Sequence, residues 1–201
     1  MVKKITPYNV LEPFLVKPFE RIHLAEISRL ISQPHPTVRQ WLNIMEKNGV
    51  LKKENRGRLT LFSLNFQSPN IIDYLVISEK NKLIKKCGKW LVLGEISSYI
   101  NRNLGEGIKV LIFGSASEAF NAANDIDMLV IGKDKNFNAL ENLTKRFNKK
   151  PHIIQADTLK KVSAALRIEI ISKHLLIKGS EDFLMWMLWS QLNGAGNRIK
   201  V

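Results

Sequence analysis

The stretch LIFGSASEAFNAANDIDMLVIG, residues 111–132, decides the fold of the C-terminal half. It reads as an apolar strand, a Gly-Ser turn, nine loosely polar residues, and a second strand that opens with Asp-Ile-Asp. Because side chains alternate along a strand, Asp125 and Asp127 are expected on one face, with Ile126, Met128 and Val130 on the other. Two neighbouring carboxylates repel each other, and a divalent cation between them would relieve that repulsion.

The residue types around this turn predict a magnesium–nucleotide pocket. Mg²⁺ prefers hard oxygen ligands, commonly one or two carboxylates together with substrate phosphates. Gly114 lets the backbone approach a phosphate closely, and Ser115 with nearby N–H groups is suited to hold phosphate oxygens. The candidate ligands are therefore Asp125 and Asp127 for the metal and Gly114 and Ser115 for the nucleotide.

The order Gly-Ser, nine residues, Asp-x-Asp resembles the nucleotidyltransferase superfamily of the DNA polymerase β type, in the minimal form found in archaea and bacteria. The resemblance covers about residues 106 to 180, including HLLIKGSEDF, which is similar to the closing strand of that family. It implies that Gly114 and Ser115 contact a triphosphate and that Asp125 and Asp127 bind Mg²⁺. The implied reaction is nucleotidyl transfer from an NTP with release of pyrophosphate.

Two departures from the family pattern put catalysis in question. Active relatives usually carry a third carboxylate on the next core strand, which we assign to PHIIQA, where His152 or Ile153 stands instead. Asp157 follows that strand and reads as the N-cap of the next helix, while Glu169 is expected on that helix. In addition, ASEAFNAA contains neither the arginine nor the second glycine that usually follows Gly-Ser. A retained fold that binds a metal or nucleotide without turnover is therefore the alternative to an active enzyme.

The N-terminal third has the order helix, turn, helix and basic hairpin. RIHLAEISRLI has apolar residues at helical spacing, SQPHP breaks the helix, and TVRQWLNIMEKNG forms a second apolar stripe that ends near Gly49. VLKKENRGRLTLFSLN then predicts two strands with Gly57 near the tip of their hairpin.

This order of elements over residues 24–65 resembles the winged helix-turn-helix family. The resemblance implies that the second helix enters a DNA major groove while the hairpin follows the phosphates. The expected DNA-binding residues are His35, Thr37, Arg39, Gln40 and Asn43 on the helix and Lys52, Lys53, Arg56 and Arg58 on the hairpin. Winged helices also mediate protein contacts or dimerisation, which is the alternative for this module.

Composition favours a polyanionic partner. The formal net charge is +13 and the isoelectric point is about 9.9, which favours nucleic acid, although a lysine-rich proteome would give the same excess. The single cysteine, Cys87, fits a reducing cytoplasm and a small core residue. The most apolar run, FLMWMLW, is too short to cross a bilayer, so no membrane association is expected.

These patterns predict an α+β chain with three sections: a winged helix at 1–67, a helical connector at 68–105 with a possible homodimer surface, and a nucleotidyltransferase-like mixed sheet flanked by helices at 106–201. His174 is expected on a partly exposed strand. The C-terminal helix, which begins near Ser180, either docks on its own domain or binds a partner.

Three functions compete at this stage. The first is a DNA-binding transcription regulator, antitoxin-like, with a weakened or lost transferase domain and a protein partner. The second is an active Mg²⁺-dependent transferase that places AMP or another nucleotide on a protein or small molecule, with the winged helix as a recognition module. The third is RNA modification, for which the chain is short.

Overall fold

The computed structural model describes residues 6–134 and 136–195, with side chains described as far as Leu188. The chain divides into two units, residues 1–81 and 82–201. This division falls inside a long helix, whereas the sequence patterns placed boundaries after residues 67 and 105. The architecture is α+β, with two separate sheets.

The first unit is a small helical bundle closed by a three-stranded sheet. After a 3-10 turn at Pro7–Leu11, its elements are α1 (Glu12–Val16), β1 (Ile22–His23), α2 (Leu24–Leu30), α3 (His35–Lys47), β2 (Leu51–Arg56), β3 (Leu59–Leu64) and the first part of α4 (Ile71–Lys89). The strands are antiparallel in the order β1-β3-β2. The helix, turn, helix and hairpin predicted for this region are therefore present.

Local sequence explains how α3 begins and ends. Proline at the second helical position lacks only an N–H that would have no intrahelical acceptor. At the other end, Gly49 has a φ of 71°, Gly49 N–H donates to the Glu46 carbonyl, and Val50 N–H donates to the Met45 carbonyl, both at 2.9 Å. This pair of bonds is a Schellman motif, which requires the left-handed conformation that glycine adopts readily.

The hairpin turn is equally local. Only Gly57 and Arg58 separate β2 from β3, and Gly57 has a φ of 59°. A glycine with positive φ at the first central position is typical of tight hairpin turns whose twist matches that of the flanking strands. In α2, Leu24 and Ile27 are buried, whereas Leu30, which has the same helical spacing, is 51% exposed at the end of the helix.

The second unit contains a four-stranded mixed sheet. Beyond the end of α4, its elements are α5 (Leu91–Asn103), β4 (Lys109–Phe113), α6 (Ser115–Glu118), β5 (Asp125–Ile131), α7 (Phe137–Arg146), β6 (Lys150–Ala156), a 3-10 turn (Leu159–Lys161), α8 (Ala164–Ser172), β7 (His174–Lys178) and α9 (Ser180–Ala195). The strand order is β6-β5-β4-β7. β4 is antiparallel to β5 and to β7, and β5 is parallel to β6.

Both faces of this sheet are covered. On one face Ile112, Met128 and Leu175 join a buried cluster with residues of α5 such as Leu93 and Ile96. Residues that alternate with these, such as Leu111 and Leu129, are also fully buried. Strands buried on both faces read as continuous apolar runs, which explains the sequence of β4 and of the second half of β5.

Helix α9 contacts β7. Its Phe183, Leu184, Met187 and Leu188 are buried, whereas Met185 is 41% exposed. Within the described side chains, the helix is therefore docked on its own unit, the first of the two alternatives. In the described part of the chain, no helix has both the length and the apolar character needed to span a bilayer.

Candidate functional site

Helix α3 presents a polar face away from the core. His35, Arg39 and Gln40 are exposed, and Thr37 and Asn43 are partly buried. The opposite side of the helix buries Val38, Leu42 and Met45. The five helix residues among the nine assigned to DNA by the sequence therefore lie on α3 and keep some contact with solvent.

The hairpin places its basic residues on two different faces. Lys53 pairs in register with buried Phe62, so Lys53 extends on the side of the sheet that faces the helices. Its Nζ donates to Oδ1 of Asn43 on α3 at 3.3 Å. Lys52 and Arg56 alternate with Lys53 and therefore extend from the other face.

An ion-pair cluster engages Arg56 on that other face. Its Nε lies 2.6 Å from Glu54 Oε1, and Arg21 Nη1 lies 2.9 Å from Glu54 Oε2. The hydrogen bond from Arg56 is the main cause that lowers the pKa of Glu54 below its usual value, and the charges of Arg21 and Arg56 add to it. Arg58, at the exposed tip, has no ion pair among the described residues. The four basic hairpin residues thus differ in the partners they already have: Arg56 pairs with Glu54, whereas Lys53 donates to Asn43.

In the second unit, the turn after β4 brings Gly114 against Asp127. Phe113 and Asp127 are register partners in the antiparallel β4–β5 pair. Gly114 has φ 65° and ψ −151°, a conformation essentially restricted to glycine. A Cβ at this position would lie 3.2 Å from Asp127 Oδ2. The glycine therefore both makes the turn and leaves room for the carboxylate.

The residues after the turn form a single helical turn, α6. Ser117 Oγ donates to the Gly114 carbonyl at 2.7 Å, and Gly114 N–H donates to the Lys173 carbonyl at 3.2 Å. Ser115 is exposed at the start of α6, and its hydroxyl has no protein hydrogen bond among the described residues. The turn is thus held by the Ser117 hydroxyl and by the Lys173 carbonyl, and the Ser115 hydroxyl remains accessible to solvent.

The two carboxylates of Asp-x-Asp share one side of β5. Asp125 is exposed and the Asp127 side chain is 31% exposed, while Ile126, Met128 and Val130 lie in the core on the other side. The alternation predicted from the sequence is confirmed. The Cα atoms of Asp125 and Asp127 are two strand positions apart, which is about 6.6 Å along the strand.

The neighbouring parallel strand β6 sets a basic residue beside each carboxylate. Its register pairs Lys150 with Asp125 and His152 with Asp127. His152 Nδ1 lies 3.1 Å from Asp127 Oδ1. Of His152 and Ile153, which the sequence left as alternatives, the register places His152 beside Asp127. Lys150 was missed, because only the strand pairing brings it next to Asp125.

Two further lysines missed by the sequence hold the segment between the turn and β5. Lys149 Nζ donates to the carbonyls of Phe120 and Asn121, both at 3.1 Å, and to that of Ala123. Lys86 Nζ donates to the carbonyls of Ser117 and Glu118. These ammonium groups occupy backbone acceptors of the segment between Gly114 and β5. No local pattern could have identified them, since Lys149 immediately precedes β6 and Lys86 lies on α4.

The other acids and the remaining histidine lie elsewhere. His152 lies near the start of β6, and Asp157 follows the end of that strand. Thr158, rather than Asp157, is the N-cap of the next turn, so the N-cap interpretation was wrong. A hydrogen bond from Lys161 is the main cause that lowers the pKa of Asp157. Glu169 is exposed on α8, as expected. His174 is 2% exposed on β7, so its predicted partial exposure was wrong.

The donor set at this edge fits one metal ion better than two. Asp125 and Asp127 supply the carboxylate oxygens that Mg²⁺ prefers, and Mg²⁺ commonly completes its shell with water and phosphate oxygens. No group of three or more His, Cys, Asp or Glu side chains in the described ranges is arranged to hold a metal ion by itself. A second ion would have no carboxylate of its own, because β6 contributes Lys150 and His152.

No protein-family model matches the chain, and no curated protein matches it. Solved structures match at low similarity. A toxin-antitoxin structure with AMP-PNP is 19% identical, covers 52% of this chain and 90% of its own, and has a TM-score of 0.37. A mutant of the toxin-antitoxin MntA-HpeT is 18% identical, with 52% and 89% coverage and a TM-score of 0.38.

A third solved structure spans more of this chain. TrmBL2, an archaeal chromatin protein described with a novel mode of DNA binding, is 16% identical over 82% of this chain and 69% of its own, with a TM-score of 0.27. All three likenesses are too distant to support an argument about residues or activity.

Proposed function

We propose that this protein is a DNA-binding regulator whose first unit reads duplex DNA and whose second unit binds a nucleoside triphosphate. The observation that carries the DNA-binding part is the hydrogen bond between Lys53 on the hairpin and Asn43 on α3. This bond joins the Lys53 ammonium group to the polar face of α3, so the hairpin and the helix contribute to one surface.

The chemistry of that surface suits DNA. Arg39 and Gln40 are exposed on α3, and guanidinium and amide groups pair well with guanine and adenine edges in the major groove. Lys53 and Arg58 carry exposed positive charge on the hairpin, which suits phosphate oxygens. Helix residues would therefore determine sequence preference, and hairpin residues would contribute affinity for any duplex.

A salt titration tests this division of roles. Fluorescence anisotropy with labelled duplexes of varied sequence, at several NaCl concentrations, is expected to give a log–log affinity plot that falls linearly. Lys53→Ala is expected to reduce the slope by about 1 on every duplex, and Arg39→Ala to reduce discrimination between duplexes. Lys160→Ala, an exposed lysine of the second unit, is the control. Binding that is absent or insensitive to salt would refute the DNA-binding proposal.

The nucleotide-binding part rests on the approach of Gly114 to Asp127. Gly114 and exposed Ser115 would face phosphate oxygens, and Asp125 and Asp127 would hold one Mg²⁺. When bound, the metal would neutralise phosphate charge. The test is titration of a fluorescent ATP analogue with Mg²⁺, in which Asp127→Ala is expected to weaken binding at least tenfold. Equal affinity of the wild type and this variant would contradict the assigned site.

The second candidate function is nucleotidyl transfer to a protein or a small molecule. It is favoured by the shared edge of Gly114, Asp125 and Asp127, where a hydroxyl oxygen would attack the α-phosphorus. The bond to the β-phosphate oxygen would break, pyrophosphate would leave, and the hydroxyl proton would pass to water. Incubation with α-labelled NTPs and candidate acceptors tests it. Absence of label in any acceptor, with nucleotide binding intact, would favour the binding-only regulator.

A further inference from the structure

Strand β6 gives each carboxylate of the Asp-x-Asp pair its own basic neighbour. The parallel register matches Asp125 with Lys150 and Asp127 with His152. Side chains that are register partners lie on the same face of a sheet, and neighbouring strands are about 4.8 Å apart. Two acids and two basic groups therefore share one small area at the open edge of the site.

The two basic residues have capacity for a further ligand. Lys150 is exposed, and its ammonium group has no ion pair with the described residues. His152 is also exposed, with 71% of its side chain accessible to solvent, and only Nδ1 contacts Asp127. The Nε2 atom is on the other side of the imidazole ring, so it can meet a ligand without loss of the contact with Asp127.

The same two residues occupy the place from which a second metal ion would have to be held. A second ion about 3.5–4 Å from the first would need further oxygen ligands, and β6 supplies no carboxylate beside Asp125 and Asp127. A second divalent ion here would instead lie near the Lys150 ammonium group, and like charges at short range repel. A phosphate oxygen at that place would be attracted by the Lys150 ammonium group and would lie beside the exposed His152 ring.

We propose that this pocket binds a nucleoside triphosphate with a single divalent ion, and that Lys150 and His152 contact the phosphate chain where a second ion would otherwise lie. The inference rests on the proposed nucleotide binding and adds the metal stoichiometry and two phosphate contacts. Asp125 and Asp127 hold the one ion. The Lys150 ammonium group and the His152 ring contact the remaining phosphate oxygens in place of a second ion.

Counting bound ions provides the first test. Mn²⁺ replaces Mg²⁺ as the probe, and free Mn²⁺ is measured by electron paramagnetic resonance in the presence of the full chain and a non-hydrolysable ATP analogue. The wild type is expected to bind one Mn²⁺ per nucleotide. His152→Asp adds a carboxylate beside Asp127 and is expected to bind two. Ser98→Asp, an added acid at an exposed position of α5, is expected to bind one.

Nucleotide affinity at saturating Mn²⁺ provides the second test. Lys150→Ala and His152→Ala are each expected to weaken binding of the ATP analogue about tenfold, because a charge-assisted contact is lost. Lys150→Arg is expected to retain most of the affinity, and Lys160→Ala is expected to change nothing. Circular dichroism melting of each variant identifies any that have lost their fold.

The outcomes separate this inference from the proposed function. Two Mn²⁺ ions per nucleotide in the wild type would overturn the inference while nucleotide binding stands. Unchanged or tighter nucleotide binding by folded Lys150→Ala and His152→Ala would overturn it as well. No nucleotide binding by the wild type, with or without metal, would instead refute the proposed function of the second unit.

Discussion

The charged residues of the wing surface in the first unit come from one continuous stretch of sequence. Those of the pocket edge in the second unit come from separate stretches that the sheet brings together. The wing surface comprises residues 35–58, a short continuous stretch, and Lys53 and Arg58 are exposed to solvent there. The pocket edge is assembled from residues 113–115, 125–127 and 150–152 on three strands, and its charges are close to one another. The first is a local surface, and the second depends on the whole sheet.

This difference predicts how substitutions combine. Exposed charges that lack shared partners act almost independently, so the effects of substitutions at Lys53 and Arg58 should add. Residues that contact one another, such as His152 and Asp127, are coupled, so their effects should not add. Predictions for the pocket therefore depend on the sheet that supports it, and the largest effects are expected there.

Ile126 tests the supporting sheet. It lies between the two aspartates and is fully buried, so Ile126→Ala should reduce the free energy of unfolding of the second unit by about 2–5 kcal/mol. Ile84→Ala removes a side chain that is 69% exposed and should change stability by less than about 0.5 kcal/mol. Urea unfolding measures both. Equal effects would show that Ile126 is not packed as described.

Gly114 tests the turn. Gly114→Ala imposes a side chain on a glycine-only conformation and should cost about 1–3 kcal/mol of stability. It should also weaken nucleotide binding, because the added Cβ would lie 3.2 Å from Asp127 Oδ2. Gly107→Ala is the matched control, since a Cβ there would meet no atom within 4 Å. Thermal melting and the nucleotide titration provide the measurements, and a neutral Gly114→Ala would contradict the turn geometry.

Lys149 tests the loop that precedes β5. Lys149→Met keeps the length of the side chain but leaves three carbonyls without their ammonium donor, which should cost about 1–2 kcal/mol. Lys149→Arg should recover part of this loss. Lys160→Met, at an exposed lysine, is the control. If urea unfolding shows no difference between Lys149→Met and Lys160→Met, the loop does not depend on this contact.

Arg58 and Arg56 test whether the arginines of the hairpin contribute unequally to DNA binding. Arg58→Ala should reduce the salt dependence of duplex binding by about one counterion. Arg56→Ala should reduce it less, because the Arg56 guanidinium already pairs with Glu54 at 2.6 Å. Anisotropy titrations across NaCl concentrations compare the two. A larger effect for Arg56 would mean that the Glu54 cluster opens on DNA.

Cys87 gives the smallest expected effect, a change in reactivity. Burial raises the pKa of its thiol, and a hydrogen bond with Ser97 opposes that shift. Because the thiolate is the reactive form, labelling by a disulfide reagent should be slower in the folded chain than in urea at pH 8. The difference between the two labelling rates should become smaller as the pH rises through the pKa of the Cys87 thiol in the folded chain. Equal rates at pH 8 would contradict the burial of this thiol.

The first unit was largely predictable because its signals are local. Gly49, Gly57 and the proline break after α2 mark where elements stop, and the apolar spacing of Val38, Leu42 and Met45 marks the buried face. Leu30 shares the helical spacing of Leu24 and Ile27 but is exposed, because helical spacing alone does not show where the end of a helix leaves the core. Which basic residues lie on which face of the hairpin became clear only from the pairing of β2 with β3.

For the second unit, the sequence alone determined the strand that carries the acids, the side on which Asp125 and Asp127 lie, and the glycine turn before them. These features depend on alternation and backbone freedom, which act between near neighbours in the chain. Only the tertiary structure decided that Lys150 and His152 stand beside those acids and that Lys149 and Lys86 hold the loop. Parallel pairing joins residues about 25 positions apart, and its register is set by packing across the whole sheet.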